Sequence, residues 1–200
     1  MTQEYLPPAT WSSPKFSKPS HNYMGEESPA VLHEAVGRAT SAWEHAESGT
    51  IKLFQVLCET KSLAACRAYG TIDSVFGRHL ALKYAADEFF HTRELSDCKL
   101  THSLVATYNE TGQYRNEIAH GMAVYPHGFG YFVCAPSYSS RRRSTARPSE
   151  KWGLGSKYFY RVAEIDLFRE RFEHILRAII SMTHYLNDKY TVLNPGDLHP

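Results

Sequence analysis

What this chain lacks narrows its class before any motif is read. No stretch of its 200 residues approaches the roughly 20 consecutive apolar residues of a membrane-spanning helix, so no membrane partner is expected. The opening segment MTQEYLPPATWSSPKFSKPSHNYMGEES has no apolar run able to serve as a signal core, which points to a cytoplasmic protein. Cysteine is sparse and scattered: Cys58, Cys66, Cys98 and Cys134 include no Cys-x-x-Cys pair, so neither zinc nor a redox switch is expected. Buried thiols in a reducing compartment are. An excess of one charge is also missing: 22 basic residues face 21 acidic ones, a net charge of +1, so no global field draws the chain onto nucleic acid. Any RNA contact must be local.

Catalytic signatures are equally thin. Gly-x-Ser-x-Gly and phosphate-loop patterns are absent, which argues against serine-hydrolase and nucleotide-hydrolase chemistry. Histidine is plentiful, but His79, His91, His102, His127 and His174 form no His-Glu-x-x-His arrangement, so no metal and no cofactor are expected. The length fits one domain with extra segments.

What is present is helical periodicity. Residues 1–29 carry five prolines and no apolar rhythm, as in a flexible leader. From Leu32, the positions Leu32, Val36, Ala39, Trp43, Ala46, Thr50, Leu53 and Leu57 alternate in steps of four and three, the stripe of one long helix. Gly37 and Gly49 are places where it could bend. Ser62 is an N-cap candidate for a second helix whose inward face is Tyr69, Ile72, Phe76, Leu80 and Phe90, ending about His91. A third helix opens near Ser96 or Asp97, uses Leu100, Leu104, Tyr108 and Ile118 for its face, has a kink point at Gly112, and stops at Gly121 as a C′ residue. GFGYFVCAP and KYFYRVAEI then change the period to that of two strands, which can pair as a hairpin. Between them runs a basic loop with Arg141, Arg142, Arg143, Arg147 and Lys151. These side chains could neutralise RNA phosphates, although a solvated loop is the simpler reading. Asp166 is the expected N-cap of a last helix with the band Leu167, Phe168, Phe172, Ile175, Leu176, Ile179, Met182 and Leu186. The tail 191–200 cannot extend it.

The expected architecture is therefore mainly α: an up-and-down bundle of about four helices over residues 30–190, with a small β-hairpin and the basic loop, about 127–165, inserted before the last helix. The hairpin aromatics Tyr131, Phe132, Tyr158, Phe159 and Tyr160 suit core packing better than base stacking.

The densest chemistry lies in TGQYRNEIAHG, at the end of the third helix. Asn116 and His120 are four apart and share a helix face, whereas Arg115 sits about 140° around from His120. A second surface, such as a symmetry-related copy of the same helix end, would complete such a splayed set.

Arg115-Asn116-Glu117-Ile118-Ala119-His120 resembles the Arg-x4-6-His motif of HEPN domains, including the polar residue that commonly follows the arginine. The family's fold, an up-and-down helical bundle with the motif on its third main helix, agrees with the order above over about residues 30–190. The resemblance implies a homodimer in which two motifs meet in one cleft and a metal-independent RNA endonuclease of the toxin or defence type, with an antitoxin protein as partner in toxin pairs. In that role His120 is the general acid or base, Arg115 contacts the scissile phosphate and Asn116 orients either one. The competing reading is a non-catalytic HEPN-like module that binds RNA or a protein. Some toxin members carry a tyrosine two residues after the histidine; Met122 stands there, and mechanisms that modify that tyrosine have no support in this chain.

Overall fold

Ser28 and Pro29 start the first helix where the sequence allows it: the Ser28 hydroxyl accepts from the Ala30 amide at 3.2 Å, and proline at the first helical position has no amide to leave unpaired. The computed structural model describes residues 19–126, 128–134 and 158–193. Its elements are α1 (Pro29–Leu57), α2 (Leu63–Gly70), α3 (Val75–Phe89), α4 (Leu95–Ala119), β1 (Met122–Val124), β2 (Phe132–Cys134), β3 (Phe159–Tyr160) and α5 (Val162–Tyr190). The protein is mainly helical, with a small antiparallel sheet ahead of the last helix, as the periodicity implies.

The chain forms two compact units. One holds 43–112 and 171–193 among the described residues, the other 19–42, 113–126, 128–134 and 158–170. In the first, Trp43 is fully buried, stacks on Tyr108 at 5.1 Å between ring centroids and meets Phe172 edge-on at 5.2 Å. Aromatic pairs in these geometries contribute about 0.5–1.5 kcal/mol beyond the area they bury. Glycine serves packing here. A Cβ on Gly112 would lie 2.6 Å from Val75 Cγ1 and 3.1 Å from Trp43, so this residue lets helices approach, and α4 runs through it without a break.

Polar groups also tie the first unit together. Asp97, almost wholly buried, accepts from Lys189 Nζ at 2.9 Å, Tyr190 at 2.8 Å and Tyr185 at 3.1 Å. Burial pushes its carboxyl up, but those hydrogen bonds and the Lys189 charge outweigh it and hold the group below the usual carboxylate range. Glu47 pairs with Arg78 at 2.5 Å and receives the Tyr108 hydroxyl at 3.4 Å.

In the second unit the sheet order is β1-β2-β3, all antiparallel, with Met122 opposite Cys134 and Val133 opposite Tyr160. Phe132, Cys134 and Phe159 form its buried centre, with Tyr23, Val124 and Phe129 against them. Burial of Phe132, Tyr158, Phe159 and Tyr160 makes these aromatics core residues.

Several expectations need correction. The second helix is two: α2 ends at Gly70, and Ser74 captures the Gly77 amide at 2.9 Å to start α3 afresh. A hydroxyl that competes for backbone amides interrupts the helix here. The phase shifts across the break, so Phe76, expected inward, is 59% exposed, and Leu82, Ala86 and Phe89 take the core. β1 was not expected; three residues are too few for an alternation to show. VAEI is helix, not strand. The Glu164 carboxylate accepts from the Arg161 amide at 2.9 Å and Glu26 Oε1 accepts from the Val162 amide at 2.9 Å, so α5 is capped at Arg161, five residues before Asp166, which instead meets Arg38 and Arg169. The segment expected to be a leader is held from residue 19 on: Pro19 is buried, Glu26 bridges Tyr131, and the Gly25 amide donates to Phe129 O at 2.6 Å. That close approach needs glycine at 25 and at Gly130, whose φ is +84°. Residues 1–18 lie outside the described residues.

Candidate functional site

The end of α4 is oriented by what it buries. Tyr114 stacks on Phe168 at 4.7 Å, Ile118 is 1% exposed, and the Glu117 carboxylate receives the Tyr160 hydroxyl at 2.6 Å. The Tyr158 hydroxyl donates to the Glu117 carbonyl at 2.7 Å, satisfying one of the carbonyls that a helix end leaves without an intrahelical donor. Tyr158 and Tyr160 are two apart on an extended segment, so both point to one side, and their rings stack at 4.6 Å. Burial and then the Glu117 carboxylate push the Tyr160 phenol far up, which keeps it a neutral donor.

Gly121 completes this inward stripe. Its φ is not positive, contrary to the left-handed C′ role expected from the sequence. A Cβ there would instead overlap Val133 Cγ1 and stand 2.9 Å from the Glu117 carbonyl. Glycine lets the chain turn tightly under β2.

With Tyr114, Glu117, Ile118 and Gly121 spoken for, the 3.6-residue period sends the remaining positions to the other side. Gln113, Asn116, Ala119 and His120 are all exposed. His120 follows the last helical residue, and its amide donates to the Asn116 carbonyl at 3.2 Å. Arg115 is half-buried and donates from Nη1 to Asn116 Oδ1 at 3.3 Å. The structure thus links Arg115 to Asn116 and leaves Asn116 and His120 side by side on the open face, with the small Ala119 next to them. The chemistry available is that of one guanidinium, one amide and one imidazole at the carboxyl end of a helix, where the helix dipole favours a cation.

Arg141, Arg142, Arg143, Arg147 and Lys151 lie outside the described residues. The sequence reading missed the two tyrosines as anchors of the motif. Their signal was the Tyr-Phe-Tyr alternation, which shows a shared face but not the acceptor on it. Comparisons with protein-family models, curated proteins and solved structures give no significant match.

Proposed function

We propose that the chain is a HEPN-like homodimer that cleaves RNA without a metal, using Arg115, Asn116 and His120 of two copies. The observation that supports it most is the sorting of the motif: Glu117 is turned into the fold by Tyr160, while Asn116 and His120 face solvent together. In the reaction, the imidazole of one copy takes the proton of a ribose 2′-hydroxyl. The 2′-oxygen bonds to phosphorus, the bond to the 5′-oxygen breaks, and the second copy's imidazolium gives that oxygen its proton. A 2′,3′-cyclic phosphate and a 5′-hydroxyl result. Arg115 offers its guanidinium fork to the phosphoryl oxygens as their charge grows.

The test is incubation of structured and single-stranded RNA with purified protein in EDTA, comparing wild type with His120→Ala and Arg115→Ala. Cleavage by wild type, reduced about 10²- to 10⁴-fold in folded His120→Ala, supports the reading. Equal cleavage by all three overturns the site. A non-catalytic module that binds RNA or a protein is the second reading, and it rests on His120 at a helix end whose dipole alone gives a cation a stabilising place. It requires no cleavage by any of the three proteins and, where RNA is the ligand, binding that survives in wild type.

A further inference from the structure

Away from the Arg115–His120 end, α3 and α4 bring three different ligand types together. Asp87 lies in the last turn of α3, and Cys98 and His102 are on α4. Four residues apart, these two share a face of that helix. His102 Nε2 stands 2.9 Å from Asp87 Oδ1. One ligand atom from each residue, a carboxylate oxygen, a thiol sulfur and a ring nitrogen, lies within 4.8 Å of the other two. Cys98 and His102 are half-buried and Asp87 is exposed. Their mutual polar contact accounts for Asp87 and His102, but not for a thiol within reach of both.

The dimensions suit a small tetrahedral ion. Bonds of about 2.0–2.3 Å hold neighbouring ligands roughly 3.3–3.8 Å apart, so the thiol need draw in by no more than about 1–1.5 Å and the Asp87–His102 pair open by about 0.5 Å. An exposed aspartate at a helix end has the rotamer freedom to follow. Chemistry narrows the ion further. A sulfur, a nitrogen and an oxygen together fit a borderline cation such as Zn²⁺, whereas magnesium and calcium take oxygen sets. A thiolate and a carboxylate would cancel a dication's charge, and three protein ligands leave one position for water.

We propose that Asp87, Cys98 and His102 form a binding site for a zinc-class divalent cation that ties the end of α3 to the first turns of α4, with water as the fourth ligand. The site is independent of the proposed ribonuclease and shares no residue with it. Cobalt(II) is the probe, titrated into the reduced, metal-free full chain and followed by absorbance. The expected result is saturation at one equivalent, with a thiolate-to-cobalt charge-transfer band in the near ultraviolet that Zn²⁺ displaces. Cys98→Ser should abolish the band. His102→Ala and Asp87→Asn should each weaken binding by more than about 100-fold, beyond the loss typical of outer-shell partners. Cys58→Ser, at the exposed thiol, should change nothing. Circular dichroism establishes that each variant is folded, and Asp87→Asn, exposed and conservative, keeps the test open should Cys98→Ser fail to fold. No charge-transfer band at any concentration, a band that survives in folded Cys98→Ser, or a band lost with Cys58→Ser overturns the site.

Discussion

The Tyr160 hydroxyl donates to the Glu117 carboxylate at 2.6 Å, joining β3 to the middle of the Arg115–His120 motif. Tyr160 is fully buried, so replacing it removes the donor without opening the site to water. Tyr160→Phe should lower stability by about 1.5–3 kcal/mol, the range for a hydrogen bond to a charged group, read as a fall in the urea midpoint at unchanged slope. The same variant should also reduce any RNA cleavage, because Glu117 loses a bond that turns its carboxylate into the fold. A stable variant with full activity would show that this bond neither supports the fold nor sorts the motif.

Much of the helical framework is legible in the sequence, and the reason is periodicity. Of the eight stripe positions expected on α1, seven from Leu32 to Leu57 are buried and only Val36 is half-buried. The band on α5 fares similarly, with Leu167 and Leu176 its two less buried members. What fails is local chemistry that periodicity cannot see. Ser74 restarts a helix and turns Phe76 outward; Glu26, distant in sequence, caps α5. At the motif, the i,i+4 pairing of Asn116 with His120 follows from helix geometry, while the fixing of Glu117 depends on Tyr158 and Tyr160 arriving from another element. Cys98 and His102 are four apart, a common spacing on any helix, and only Asp87, arriving from α3, makes them a set of three ligand types.

Two glycines separate packing from backbone freedom. Gly121→Ala should cost about 1–3 kcal/mol, because its Cβ meets Val133 and the Glu117 carbonyl in a site with no room. Gly37→Ala should act in the opposite direction, since a Cβ there meets nothing within 4 Å on an exposed helix position. A gain of about 0.4–1 kcal/mol is expected from the reduced entropy of the unfolded chain. Denaturant titration of both variants checks the pair. Equal effects would mean that the glycines share one role.

Acid sensitivity should come from Asp97 and Glu164. Burial raises Glu164, but the hydrogen bonds and charge of Arg161 hold it below its ordinary value, as Lys189, Tyr190 and Tyr185 do for Asp97. A carboxyl whose folded pKa is lowered binds fewer protons when folded than when unfolded. The stability it contributes is therefore present above the unfolded value of about 3.9–4.3 and is lost as pH falls through the folded one. Urea midpoints should be level from pH 7 to about 5 and decline below about 4. Asp97→Asn should start lower and decline less steeply. An equal slope in wild type and variant would remove Asp97 from the acid limb.

Ala119 tests whether two helix ends meet. It is exposed, between Asn116 and His120 on the open face, so a long side chain there disturbs no core contact. If the proposed cleft forms between two copies, Ala119→Arg places a bulky cation where the partner's helix approaches and sets it against two arginines. Sedimentation should then show a dimer for wild type and a monomer for the variant, with cleavage falling about 10²-fold or more while circular dichroism is unchanged. Binding of RNA could persist, because an added arginine favours phosphate contact. A variant that remains dimeric and cleaves normally would place the interface elsewhere on the chain, and Arg115 and His120 would then have to act from a single copy, across the roughly 140° that separates them on one helix.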